Sequence, residues 1–440
     1  LFFCLSLLLF SACDSDSIVR KGRTDYSIFL TPQHTEIQTR SALLLQRYIE
    51  KMTTVEIPID STSDKASEES IVLIQDNELD PDGFSLHLND DQLIIAGGSH
   101  KGCLYGVVHL LEHVWGCRMY SPGFELIPAV GKLELPDIDM QDQPANSYRI
   151  INGRFCNNPD YQDWQRLDLV NDQFANKYYV HTFNRLVPWE EHFETHPEYY
   201  SMLDGRRIKD QLCLTNPDVL QMSIEKLRLE MAEQPDKLLW SVSQNDNFSY
   251  CQCPDCQKII DEEGSPAGPI INFVNTIARE FPDKIISTLA YQYSRKAPMQ
   301  IIPEKNVQIV LCTIELNRSQ AIAEDPRSKS FLKDIVDWGK IASHIYLWDY
   351  TVNFSHHITP FPNLHVLQPN IQLFTENGVH HHFQQSNTDI GHEFSELKSY
   401  LISRLLWNPK VDVDSVINDF MQGYYGAAAT QVKDYLNGLQ

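Results

Sequence analysis

Two periods of hydrophobicity alternate along this chain, one of two residues and one near 3.6, and the change between them recurs many times. The first region reads as a strand at Tyr26–Leu30, a helix at Glu36–Met52 and a strand at Val55–Ile59. Strands at Ser70–Gln75, Phe84–Leu88 and Gln92–Ala96 follow, then a helix at Gly102–Val114. The last carries an apolar stripe at Leu104, Val107, Val108, Leu111 and Val114, the spacing of one helix face. Strands and helices mixed over so short a span predict a small α/β domain over residues 26–136. Pro136 to Pro144 reads as a linker. Beyond it, eight strand-like runs are each followed by helical periodicity. They are Tyr148–Phe155, Lys177–Phe183, Gln211–Leu214, Leu238–Ser243, Ile285–Tyr291, Val307–Thr313, His344–Trp348 and Val379–Phe383. Intervening helices are expected at Val219–Glu233, Ile270–Phe281, Phe331–Lys340 and Glu396–Leu406. Eight such units in one series predict a (β/α)8 TIM-type barrel over residues 147–440.

Composition narrows the possible partners. The chain has 440 residues, with 36 basic against 59 acidic and a formal charge of -23. That field repels phosphate backbones, so nucleic acid is not expected as a partner. Residues 1–13 are strongly apolar and end Ser11-Ala12-Cys13. This resembles a bacterial lipoprotein signal, with Cys13 as the lipidated residue and residues 14–25 as a polar tether. The expectation is an exported protein held at the outer membrane by its lipid, periplasmic or at the cell surface.

Chemistry in an α/β barrel sits at the C-terminal ends of its strands. Read there, the sequence offers Arg154, His181, Asn245 with Asp246, Tyr291 with Tyr293, Glu315, Trp348-Asp349-Tyr350, Asn353 and Gln385. Aromatic rings that stack on sugar C–H faces, beside amides and acids that fix hydroxyls, make a glycan the expected substrate. Any one of these residues could equally cap a loop, and the inference rests on so many strand ends being loaded together. Asp246, Glu315 and Asp349 each end an apolar run, as an acid for glycoside hydrolysis would. An ion pair with Arg318 is the alternative use of Glu315.

Thiols form a second constellation. Cys251, Cys253 and Cys256 fall in one short loop, and Cys213 ends the neighbouring predicted strand, Gln211–Leu214. Four sulfurs on adjacent loops suit a structural zinc, whereas export favours disulfides; both readings stay open. No cofactor is expected for catalysis.

Two sets of motifs carry a family resemblance. The stretch from Lys101 to Pro122 resembles the small domain that precedes the barrel in family 20 hexosaminidases and bacterial α-glucuronidases. Gln211–Pro217, Ser243–Asp246 with the Cys-x-Cys-x-x-Cys loop, Cys312–Ser319 and Leu347–Asn353 resemble glycoside hydrolase family 163. The second resemblance implies an endo-β-N-acetylglucosaminidase acting on N-glycans by a substrate-assisted, retaining route. It implies that Asn245 orients the substrate acetamide and that Asp246 or Glu315 donates the proton. The small domain alone would suit an α-glucuronidase instead. That enzyme needs a basic clamp, for which only Arg154, Arg185 and Arg318 lie near the rim. A surface lipoprotein that binds glycans without cutting them is the third reading.

Overall fold

The computed structural model describes residues 17–356, 359–386, 388 and 391–439. The leading segment, with the expected signal and Cys13, lies outside them. The chain divides into two compact units, Leu1–Pro144 and Ala145–Gln440.

The first unit is built on a six-stranded mixed sheet. Its order is Asp139–Asp142, Phe84–Asn89, Gln92–Gly97, Ser70–Gln75, Ser27–Leu30 and Ile59–Asp60. Helix Glu36–Thr53 starts at a capping box in which Thr35 and Gln38 satisfy each other's free backbone amides. Gly97 and Gly102 let helix Gly102–His109 approach its strand, because a Cβ on Gly97 would overlap the Cys103 backbone. The expected tether needs correction. Ser17–Arg20 is a strand paired with Lys132–Glu134, and its Ile18 and Val19 are buried.

Eight strands in the second unit are labelled here in chain order: β1 (Tyr148–Asn152), β2 (Tyr200–Leu203), β3 (Arg206–Leu212), β4 (Leu239–Ser241), β5 (Ile285–Ala290), β6 (Val307–Cys312), β7 (His344–Tyr350) and β8 (His381–Gln385). Six of them form one parallel sheet in the order β1-β8-β7-β6-β5-β4. The expected eight-stranded closed barrel is therefore corrected to a six-stranded half-barrel. Two predicted strands take other forms, each for a local reason. Lys177–Phe183 runs beside β4, and its Tyr178 carbonyl and Thr182 amide bond that strand and its extension. It cannot make a regular ladder, because Lys177 and His181 hold left-handed φ values of 69° and 57°. β3 leaves the sheet to pair antiparallel with β2, across a turn at Asp204-Gly205 where both residues have positive φ.

Strand alternation divides the half-barrel into two apolar layers. Tyr148, Ile150, Leu239, Leu289, Val310, Cys312, Tyr346, Tyr350 and Phe383 form an inner cluster, joined by Phe174. Trp240, Ile286, Ile309, Leu311, Ile345 and Leu347 point outward into a larger cluster that includes Phe273, Ile277, Phe331, Ile335 and Trp338 from the helices. Burying each such side chain contributes roughly 1.5–3 kcal/mol. Helix Pro217–Glu233 starts sharply, because Asn216 accepts from the amides of Asp218 and Val219 and Pro217 fixes the first turn.

Candidate active site

The C-terminal ends of β4 to β8 surround a cavity of about 330 Å3. Its apolar lining comes from Leu289, Cys312 and Ile314, with Val180 and Phe354 from the loops. Trp348, Tyr350, Tyr291, His181, Gln385 and Asp246 complete it. Trp348 stacks on Tyr179, with ring centroids 5.3 Å apart, and its ring lies near parallel to that of Tyr350, 6.2 Å away. Its indole Nε1 donates to Gln385 Oε1 at 2.8 Å, which fixes both side chains.

Asp246 is exposed at this cavity and is the one carboxylate among the described residues that line it. Tyr291 donates its hydroxyl to Asp246 Oδ1 at 3.0 Å. Burial raises the Tyr291 phenol, and the neighbouring Asp246 raises it further, so the hydroxyl keeps its proton and remains a donor. His181 is held by two bonds. Its backbone amide donates to Ser243 Oγ at 2.8 Å, and its ring Nδ1 lies 2.8 Å from the Gln244 carbonyl. A proton on Nδ1 for that carbonyl leaves Nε2 as the acceptor. A left-handed, non-glycine residue held so firmly at a cavity is local strain of the kind that functional sites retain.

The turn that carries Asp246 is clamped from below. Gln211 on β3 accepts from the Asn245 amide at 2.9 Å and donates to the Asn245 carbonyl and to Asn247 Oδ1, both at 2.8 Å. Asn245 itself is buried, and both ends of its side chain are engaged. Its Oδ1 accepts from the Asn184 amide at 3.2 Å and its Nδ2 donates to the Asp210 carbonyl at 2.9 Å. It therefore shapes the turn and does not line the cavity, contrary to the expected contact with substrate.

Several other expected residues lie elsewhere. Glu315 is exposed and paired with Arg295 at 3.2 Å, not with Arg318. Arg318 instead donates to the carbonyls of Tyr350 and Ile314. Asp349 falls on the outward face of β7, because its neighbours Trp348 and Tyr350 take the inward positions. There it is buried and accepts from Thr313 Oγ1 at 2.7 Å, and burial raises its carboxyl above the ordinary range. Tyr293 packs against Tyr250 beside the thiol loop. Asn353 caps its own turn through the amides of Ser355 and His356. Arg154 is exposed over the Phe155 ring. None of these lines the cavity. Val180 and Phe354, by contrast, do line it, although neither stood out in the sequence. The run Tyr178-Tyr179-Val180 just before His181 was the available signal.

Cys213, Cys251, Cys253 and Cys256 are all buried, and their sulfurs lie within 4.8 Å of one another. No two of the eight described cysteines are joined as a disulfide. Proximity splits the thiols of the cluster. Hydrogen bonds from its neighbours hold Cys213 low, and the same contacts push Cys251 and Cys256 up.

An open parallel half-barrel with an aromatic-lined cavity at its strand ends defines an α/β protein of the barrel type. The chain belongs to the DUF4838 family, a domain of unknown function, whose model matches residues 119–437. No curated protein matches it. Among solved structures it is similar to a family GH115 4-O-methyl-α-glucuronidase with specificity for decorated arabinogalactans. That likeness has 10% identity and a TM-score of 0.56, and covers 94% of this chain. The chain spans 61% of the length of that enzyme. A β-N-acetylhexosaminidase from Bacteroides fragilis is also similar, at 10% identity and a TM-score of 0.52, over 96% of this chain and 94% of that one. At such identities the likeness is one of fold.

Proposed function

We propose that the protein is a glycoside hydrolase, and more narrowly an endo-β-N-acetylglucosaminidase that cuts N-glycans with net retention. One observation carries the proposal: among the described residues the aromatic cavity presents a single carboxylate, Asp246, hydrogen-bonded by Tyr291. A two-carboxylate retaining site needs a second acid about 5–5.5 Å away as nucleophile. With one acid among the described lining residues, the nucleophile in this reading is the substrate's own. The carbonyl oxygen of its 2-acetamido group attacks C1 while Asp246 gives its proton to the departing glycosidic oxygen. The C1–O bond breaks and a cyclic oxazolinium forms. Asp246, now a carboxylate, then takes a proton from the water that reopens the ring at C1. Trp348 and Tyr350 offer stacking faces for the pyranose, and Gln385 fixes the indole edge. Asn245 acts here through the turn it holds, as a positioning residue. A uronate-cutting enzyme is less well supported, because no arginine or lysine is among the described lining residues.

Incubation with a complex N-glycoprotein, followed by mass spectrometry of both products, tests this. The expected result is a released glycan ending in one N-acetylglucosamine, with the other left on the protein. An intact glycoprotein, or release of a uronic acid alone, would overturn the proposal.

A further inference from the structure

We propose that Cys213, Cys251, Cys253 and Cys256 together bind one zinc ion, a structural site that fastens the β2–β3 hairpin to the loop after β4. The geometry supports a single ion. A tetrahedral zinc with Zn–S bonds of about 2.3 Å sets its sulfurs about 3.8 Å apart. Here all four fall within 4.8 Å of one another, and Cys213 and Cys253 are 3.6 Å apart. The ligands come from two separate segments, one from the end of β3 and three from the loop, so a shared ion would cross-link them.

Charge is also provided for. Four thiolates around one zinc leave a net charge of two minus, which needs donors nearby. The Met202 amide donates to Cys251 Sγ at 3.4 Å, and the Arg207 guanidinium lies 3.8 Å from the same sulfur. The Thr215 hydroxyl sits 3.3 Å from Cys256 Sγ. Cys253 caps helix Pro254–Glu263 and Cys256 lies in its first turn, where the helix dipole favours negative charge. Two disulfides would consume the same thiols in pairs at about 2.05 Å and give no use to this ring of donors. The ion would also bear on the cavity without touching it. Gln211 stands two residues before Cys213 and clamps the turn of Asp246, so fixing the end of β3 fixes the clamp.

The full chain, purified without chelator, should contain on the order of one zinc by elemental analysis. Cobalt substituted into the wild-type protein should give the intense visible bands of a tetrahedral thiolate site. Removing the metal with a chelator should speed amide exchange in β2, β3 and residues 245–256 more than elsewhere. Cys256→Ser should retain less than half the zinc, and if that variant fails to fold the wild-type cobalt spectrum decides. Less than a tenth of a zinc per chain would overturn the site, whether the thiols are then found as disulfides or free to alkylate. So would iron in stoichiometric amount, or a cobalt spectrum without thiolate bands.

Discussion

Tryptophan 348 shows how one side chain can be tied to both packing and recognition. Its ring is held by Tyr179, Tyr350, Phe383 and Gln385, so little freedom remains to be lost when a sugar stacks on it. Trp348→Ala is expected to weaken glycan binding by about 1–3 kcal/mol, the scale of burying a large side chain. Tyr293→Ala should leave affinity unchanged, since that ring lies beside the thiol loop and not in the cavity. Isothermal titration with a chitobiose-core glycan separates the two, and equal losses would move the binding face. Glu315→Gln is expected to change turnover less than about tenfold, short of the 10²–10⁴ of a general acid. Its carboxylate already holds Arg295, which in turn bonds Asp334 at 2.8 Å. A loss of several hundredfold in that variant would return the proton donor to Glu315.

Elements, more than single residues, decide where the chemistry falls. Gln211 belongs to a hairpin outside the parallel sheet, yet it satisfies the Asn245 amide and carbonyl. Gln211→Leu keeps the bulk but leaves those groups unpaired, at about 1–3 kcal/mol each. It should lower kcat by roughly 10²-fold, the scale of a small misplacement of a reacting group, with KM little changed. Steady-state kinetics checks this, and a rise in KM at constant kcat would mean that Gln211 serves binding instead. Much of this organisation was legible in the sequence, because strands β5 to β7 are short, mainly apolar runs followed by helical periodicity. The hairpin was legible too, in Asp204-Gly205 between Tyr200–Leu203 and the polar run after it, but the barrel pattern absorbed Gln211 into a third strand. The irregular segment at 177–183 was not legible, since nothing in Lys177 or His181 announces a left-handed residue. Nor was the placement of Asp349, since a run of Trp-Asp-Tyr does not say which parity faces inward.

On the scale of the whole molecule, the base of the half-barrel carries an acid sensitivity. His381 is lowered to about 4 and His382 to about 3, in both cases chiefly by burial. Unfolded, each titrates near 6.5. Between these values the unfolded chain binds more protons than the folded one, so stability is full above about pH 6.5 and falls as pH drops. The joint loss by pH 5 should be on the order of 4 kcal/mol, at up to about 1.4 kcal/mol per pH unit for each histidine. Urea denaturation at pH 7 and pH 5 measures it, and His382→Phe should remove about half of the difference, His381 keeping the rest. An equal fall in that variant would place the acid sensitivity elsewhere. The central claim, that Asp246 delivers a proton to a leaving sugar, has a more direct test. It is the rate of Asp246→Asn on a natural N-glycan compared with its rate on an aryl β-N-acetylglucosaminide whose leaving group needs no protonation. The account predicts a loss of roughly 10²–10⁴ on the glycan and a much smaller one on the aryl substrate. Equal losses on both, or wild-type rates on the glycan, would contradict it.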